Sequence, residues 1–238
     1  MTLTQCVLSG NSANSYGGAI YNFNASTLMQ CTFSGNFSHG EGGAIYTAAG
    51  NVALTQCTLY GNSAGNAYSG GALYNGNSTM RLTHCTLSGN SSSTGGAIFN
   101  RAVLILANSI VAGNSAGTGP DLVHAGSSLT SVGVNFIGKN YTVTSEFPVG
   151  TPNVNGSYVG TNNSPLNARL APLGNHGSPV QTMALLPGSL ARDHASILSP
   201  AITRDQRGFP IIDAPDIGAY EAGTTNTFAI ALCGKTAL

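Results

Sequence analysis

LTQCTLYGN at residues 54–62 and GGALYN at 70–75 decide the fold, because both blocks recur along the chain at a nearly constant distance. The first returns as LTQCVLSGN (3–11), LMQCTFSGN (28–36), LTHCTLSGN (82–90) and LANSIVAGN (106–114). The second returns as GGAIYN (17–22), GGAIYT (42–47) and GGAIFN (95–100). Cys6, Cys31, Cys57, Cys85 and Ser109 lie 25, 26, 28 and 24 residues apart, and the length differences fall in Ser/Gly/Asn-rich links such as 63–69. A period of this size means one supersecondary unit per repeat, stacked on copies of itself because no unit can bury its apolar side alone.

Two solenoids fit. Leu-x-x-Cys-x-Leu-x-x-Asn matches the strand of a leucine-rich repeat, but that fold needs a helical or 3₁₀ convex segment. The rest of each unit is GGAIYN plus Gly, Ser, Asn and Thr, which favour turns and short strands. The pattern therefore predicts an all-β chain, a single right-handed parallel β-helix of about eight or nine coils if the repeat length is carried along the chain. Each coil would pair with its neighbours about 4.8 Å away. Leu3, Leu28, Leu54, Leu82 and Leu106 form one inward column, and Leu8, Phe33, Leu59, Leu87 and Val111 a second. Ile20, Ile45, Leu73 and Ile98 supply a third. Asn11, Asn36, Asn62, Asn90 and Asn114 each follow a glycine at a corner, where side-chain amides can stack in a ladder. The cysteine column reads as core: stacked side chains point in parallel, a free thiol behaves as a small hydrophobe, and Ser109 replaces it in the fifth unit. The Gly-Gly pairs read as turns, and the Gly-x-Gly fragments lack the βαβ setting of a nucleotide site.

Composition narrows the function classes. Only 7% of the 238 residues are charged, and eight Lys and Arg balance eight Asp and Glu, so no basic footprint for nucleic acid and no acidic tail is present. No apolar run reaches the length of a membrane-spanning helix, and residues 1–20 do not read as a signal peptide. The five cysteines have no metal-type pairing, and Cys233 stands outside the column. No catalytic, cofactor-binding or metal-ligating residue is assigned, and no cofactor is expected.

The paired G-G-A-I and F/L-x-x-N blocks, as in Gly17–Ile20 and Phe33–Asn36, resemble the repeats of chlamydial polymorphic outer-membrane proteins. That resemblance implies a surface-displayed β-helix with a part in adhesion. NSIVAGNSAGTGPDL (108–122), PLNARLAPLGNHGSPVQTMALLPGSLA (165–191) and RDQRGFPIIDAPDIGAYE (204–221) are similar to bacterial choice-of-anchor Q proteins, large secreted or surface-anchored β-helices mostly without assigned activity. The chain departs from that pattern at LARDHASILSPAI (190–202), and it ends in TTNTFAIALCGKTAL without a sorting tail, so anchoring does not carry over.

The chain thus divides into regular coils at 1–114, irregular coils and a C-terminal cap at 115–222, and a tail at 223–238. Charge gathers late, at Arg192, Asp193, Arg204, Asp205, Arg207, Asp213, Asp216 and Glu221. These residues read as a cap over the final open edge, with a carboxylate site for sugar hydrolysis or lyase chemistry as the alternative. The expected function is an extracellular or cell-surface structural module of adhesin type, without catalytic activity. Its expected partners are glycans or other cell-surface polymers and itself, through head-to-tail stacking, with no nucleic acid and no membrane insertion. A carbohydrate-active β-helix is the first alternative. The second is binding of ice or another crystalline surface by the columns Thr32, Thr58, Thr86 and Thr4, Thr55, Thr83, interrupted at Val7, Met29, Ala107 and Ile110.

Overall fold

The computed structural model describes residues 1–223, and it is built from strands and turns with no helical residue among them. Each regular turn carries four short strands. They stack into four parallel sheets. Sheet A takes Thr2–Thr4, Ser26–Met29, Val52–Thr55, Thr79–Thr83, Val103–Ala107 and Ser128–Val132. Sheet B takes Val7–Ser9, Thr32–Ser34, Thr58–Tyr60, Thr86–Ser88, Ile110–Val111, Phe136–Ile137 and Tyr158–Val159. Sheet C runs from Ser12–Ala13 to Ser115–Thr118, and sheet D from Ile20–Asn22 to Leu122–His124, each with five strands. The result is a parallel β-solenoid of about six turns, not eight or nine.

Register follows the repeat. Leu3 pairs with Leu28, Leu28 with Leu54, Leu54 with Leu82 and Leu82 with Leu106. Because side chains alternate between faces along a strand, this in-register pairing keeps every leucine inside. Leu28, Leu54, Leu82 and Leu106 are buried, and Leu3 in the first turn is half-buried. The Gly-Gly pairs do more than turn. Gly42 and Gly70 have left-handed φ values of 69° and 73°. A Cβ on the glycine that follows, Gly43 or Gly71, would stand 2.1 Å from the carbonyl oxygen of the glycine one turn on. Only a residue without a side chain lets the backbones close at that corner.

The turn count falls short because the chain leaves the spiral. Val143 and Phe147, from the loop after the sixth turn, are fully buried and complete the main core at its far end. From about residue 165 the chain runs back along the outer face of sheet B as an irregular strap held by isolated bridges such as Leu170–Leu185 and Gly174–Thr182. A second core forms beneath it, where Ile110, Phe136 and Tyr158 of sheet B meet Ala168, Leu185, Ala191, Ala195 and Ile217 of the strap. The charged cluster expected to cap the last turn therefore lies along the side of the solenoid. Cys233, the segment Phe228–Cys233 and nearly all of the expected tail lie outside the described residues.

Candidate functional site

Three features of the surface and its underlying polar network bear on function. The first is the asparagine ladder. The amide of Asn11 donates to the Oδ1 of Asn36 at 2.9 Å, Asn36 to Asn62 at 2.8 Å, Asn62 to Asn90 at 2.9 Å and Asn90 to Asn114 at 2.9 Å. Each backbone N–H donates to the same oxygen. The row ends on a residue of a different type: Asn114 donates to Asp121 at 2.8 Å, and the other Asp121 oxygen accepts the N–H of Lys139. A carboxylate only accepts, so it terminates a one-directional chain of donors. Asp121 enters from the sheet D corner, where Gly119-Pro120-Asp121-Leu122 replaces Gly95-Gly96-Ala97-Ile98. Burial pushes its carboxyl up to about 6 against the hydrogen bonds that favour the charged form. The cysteine column packs inside, with Cys31, Cys57 and Cys85 fully buried and Cys6 half-buried. Burial pushes the Cys57 thiol well up, while its hydrogen bond with Cys31 pulls the Cys31 thiol down to about 6; both side chains are shut off from solvent, which suits packing.

The second feature is the strap. Thr32, Thr58 and Thr86 lie beneath it, essentially inaccessible, so this column cannot meet a crystalline surface. Thr58 bonds Thr182 and Gln206, the Gln206 amide donates to Thr32 at 3.0 Å, and Thr86 accepts the N–H of Ala219. The positions before the cysteine column hold the strap as well. Gln5, Gln30, Gln56, His84 and Asn108 all adopt left-handed φ, between 47° and 53°. Gln30 donates to the carbonyl of Asp205, Gln56 to that of Arg204 and Asn108 to that of Ser196. His84 is pushed down to about 4 by burial and bonds Asn108. Glutamine at those corners is visible in the sequence; its partner 148 to 175 residues away is not.

The late charges form a knot within the strap. Arg207 and Asp205 make a buried ion pair at 2.7 Å, and Asp205 also accepts the N–H groups of Arg207, Phe209 and Glu221. Asp216 accepts from Asp193 and Ala222, while Glu221 accepts from the N–H of Asp216. The guanidinium of Arg207 also stacks over Phe209 and Tyr220 at 4.5 and 3.8 Å. Asp205, Asp216 and Glu221 are 1–3% exposed and turned onto backbone amides away from solvent, whereas Asp193 and Asp213 of the same cluster are exposed. Burial, with Asp216 and Asp205 nearby, raises Glu221 to about 8. Among the described residues no three His, Cys, Asp or Glu side chains cluster so as to hold a metal ion.

The third feature was not singled out in the sequence, although it occupies the fifth letter of every GGAIYN block. Tyr21, Tyr46, Tyr74 and Phe99 project outward from successive strands of sheet D with ring centroids 5.1, 5.0 and 5.4 Å apart and interplanar angles of 19°, 8° and 11°. Tyr16 stacks on Tyr46 at 4.7 Å, and Phe23 stands edge-on to Tyr21. Elsewhere, a cleft of about 460 Å³ opens between sheet B and the strap, bordered by Ser88, Asn114, Asp121, Lys139, Leu166 and Met183.

The Chlamydia polymorphic membrane protein repeat matches this chain at residues 5–22, 30–48 and 84–101. Each matched segment starts at the left-handed corner residue, spans the ladder asparagine and ends on the last residue of the sheet D strand or one beyond it. The chain is thus similar to bacterial outer-surface repeat proteins in three of its regular turns. Neither a curated protein nor a solved structure matches it.

Proposed function

We propose that this chain is a non-catalytic, surface-displayed structural module of adhesin type from a bacterial envelope, extracellular in position. The observation that carries the reading is the coincidence of the membrane-protein repeat with the ladder-bearing turns of a solenoid. The burial of Asp205, Asp216 and Glu221 within the strap supports a structural role for these residues. The likeness of the charged motifs to choice-of-anchor Q proteins belongs to the same reading, since RDQRG and DIGAYE join in one buried hydrogen-bonded knot. The long, neutral outer face has little electrostatic steering and would act through many short-range contacts.

The test is twofold. Antibodies raised against the purified chain should label intact cells of the source bacterium, and the protein should release no fragments from pectin-like or other acidic polysaccharides. Absence of labelling overturns the surface reading, and depolymerisation overturns the non-catalytic one. End-to-end association between copies belongs to the same proposal; light scattering over a concentration series reads it, and a particle that stays monomeric overturns it.

A further inference from the structure

The outer face of sheet D is built as an aromatic track, and we propose that it binds extended, uncharged glycan chains. The proposal deepens the surface reading by naming the partner. Three observations carry it. The first is exposure: Tyr16, Tyr21 and Phe23 are 42, 45 and 55% exposed and Tyr46 is half-buried, whereas Tyr74 is 6% exposed.

The second is shape. Tyr16 belongs to no column. It comes from the link before Gly17 and lies over Tyr21 and Tyr46 with centroids at 6.0 and 4.7 Å, so the track is two rings broad at that end. Phe23 meets Tyr21 at 84° with centroids 4.6 Å apart, a raised wall beside the flat ring. The corner so formed offers one ring face and one ring edge to an occupant, and the half-buried Tyr46 continues it along the solenoid axis.

The third is charge. Arg101, which reaches the Tyr74 hydroxyl at 3.4 Å, and Glu41, whose charge adds to burial in raising the Tyr46 phenol, bring one charge of each sign to the track. Single-stranded nucleic acid also stacks on aromatic rings, but it needs cations along its phosphates. One arginine does not provide them. Acidic polysaccharides meet the same objection. A neutral pyranoside chain combines apolar C–H faces for the rings with hydroxyls for the phenols of Tyr16, Tyr21 and Tyr46.

The experiment uses the whole chain on an array of neutral oligosaccharides (gluco-, manno- and N-acetylglucosamine-based) beside acidic ones. Hits are titrated by intrinsic tyrosine fluorescence, which is readable because the chain has no tryptophan. Binding to at least one neutral class is expected, with affinity falling at least about tenfold in Tyr21→Ser/Phe23→Ser. Both rings are exposed, and matching thermal melts will show that the fold survives. Tyr60→Ser, a tyrosine on sheet B, should leave binding unchanged. No neutral hit, a purely acidic preference, or equal loss in the Tyr60 variant overturns the assignment. Cell labelling that persists without glycan binding sinks this inference and leaves the surface reading standing.

Discussion

The regular turns and the strap both bury polar groups, but they satisfy them in opposite ways. In the turns, Asn36, Asn62 and Asn90 each meet the same partners, one turn before and one turn after, through the same atoms. In the strap every bond is made once: Gln206 bridges Thr32, Thr58 and Gln181, and Asp205 collects donors from Arg207, Phe209 and Glu221. Repetition spreads stability over neighbour terms. A one-off network concentrates it, so a single deletion should do more harm in the strap than in the ladder.

The largest effect is expected at the ion pair. Arg207→Ala leaves the Asp205 carboxylate buried without its cation and removes the guanidinium stacked between Phe209 and Tyr220. Such a break destabilises by about 3–5 kcal/mol. Limited proteolysis should then cut within 165–223 before the turns, and a melt losing strap and solenoid together at an unchanged midpoint would erase the contrast. The ladder comes next. Asn62→Ala deprives the backbone and side-chain N–H groups of Asn36 of their acceptor, in a site with no access to water. The cost is about 2–3 kcal/mol. Asn11→Ala, at the exposed first turn, should cost below about 1 kcal/mol by denaturant titration. Equal losses at the two positions would show that ladder position is immaterial.

These two networks also differ in how legible they were. Residues 3–114 could be read because each turn restates the rule, and the leucine, cysteine and asparagine columns are visible as letters at fixed steps. The strap could not be read because its contacts join residues such as Gln30 and Asp205, 175 positions apart with no repeat to align them. One signal was present. The outward column of sheet B changes from Thr32, Thr58 and Thr86 to Ile110, Phe136 and Tyr158, so SIVAG and NFIG place consecutive apolar residues on both faces of one strand. A parallel strand that is apolar on both faces is covered on both faces, and that covering is the strap. The aromatic track went unremarked for the opposite reason: tyrosine is an ordinary strand residue, and only the ring geometry shows a continuous stack.

Acidity separates the same two regions. Glu221 has its pKa raised from 4.5 to about 8, so across that window the folded chain holds a proton that the unfolded chain has released. Stability contributed by the strap is therefore present below pH 4.5 and falls as pH rises through 8. His84 works the other way, its pKa lowered from 6.5 to about 4, so its contribution falls as pH drops through that range. Asp121 acts with Glu221, but only between 3.8 and about 6. Cys31 opposes this trend: the hydrogen bond from Cys57 pulls its thiol from 9.0 down to about 6, so its contribution to stability rises with pH between those values. Over pH 6.5 to 8 the difference between the native chain and Glu221→Gln, which keeps the neutral shape, therefore isolates the strap carboxylate, with a loss of up to about 2 kcal/mol. From pH 6.5 to 8 the native chain should lose a few degrees of melting temperature relative to Glu221→Gln. An identical pH dependence in the two proteins would assign the titration elsewhere.

The smallest effect tests whether repetition itself stabilises. The inner edge of sheet D carries a second column, Asn22, Thr47, Asn75, Asn100 and His124. Its later members bond one another, Asn75 to Asn100 at 2.7 Å and Asn100 to His124 at 2.8 Å. Thr47 interrupts the row, its buried hydroxyl has no hydrogen-bond partner, and the Asn22 amide turns to the carbonyls of Asn24 and Ala49 instead. Thr47→Asn supplies an acceptor facing Asn22 and a donor facing Asn75, whose Oδ1 takes one bond from Ser78 and has a second lone pair free. A gain of about 1 kcal/mol is expected, read as a higher denaturation midpoint at unchanged m-value. If the larger side chain instead lowers the midpoint, packing at that corner outweighs the ladder bond, and the asparagine columns follow the backbone's shape rather than hold it.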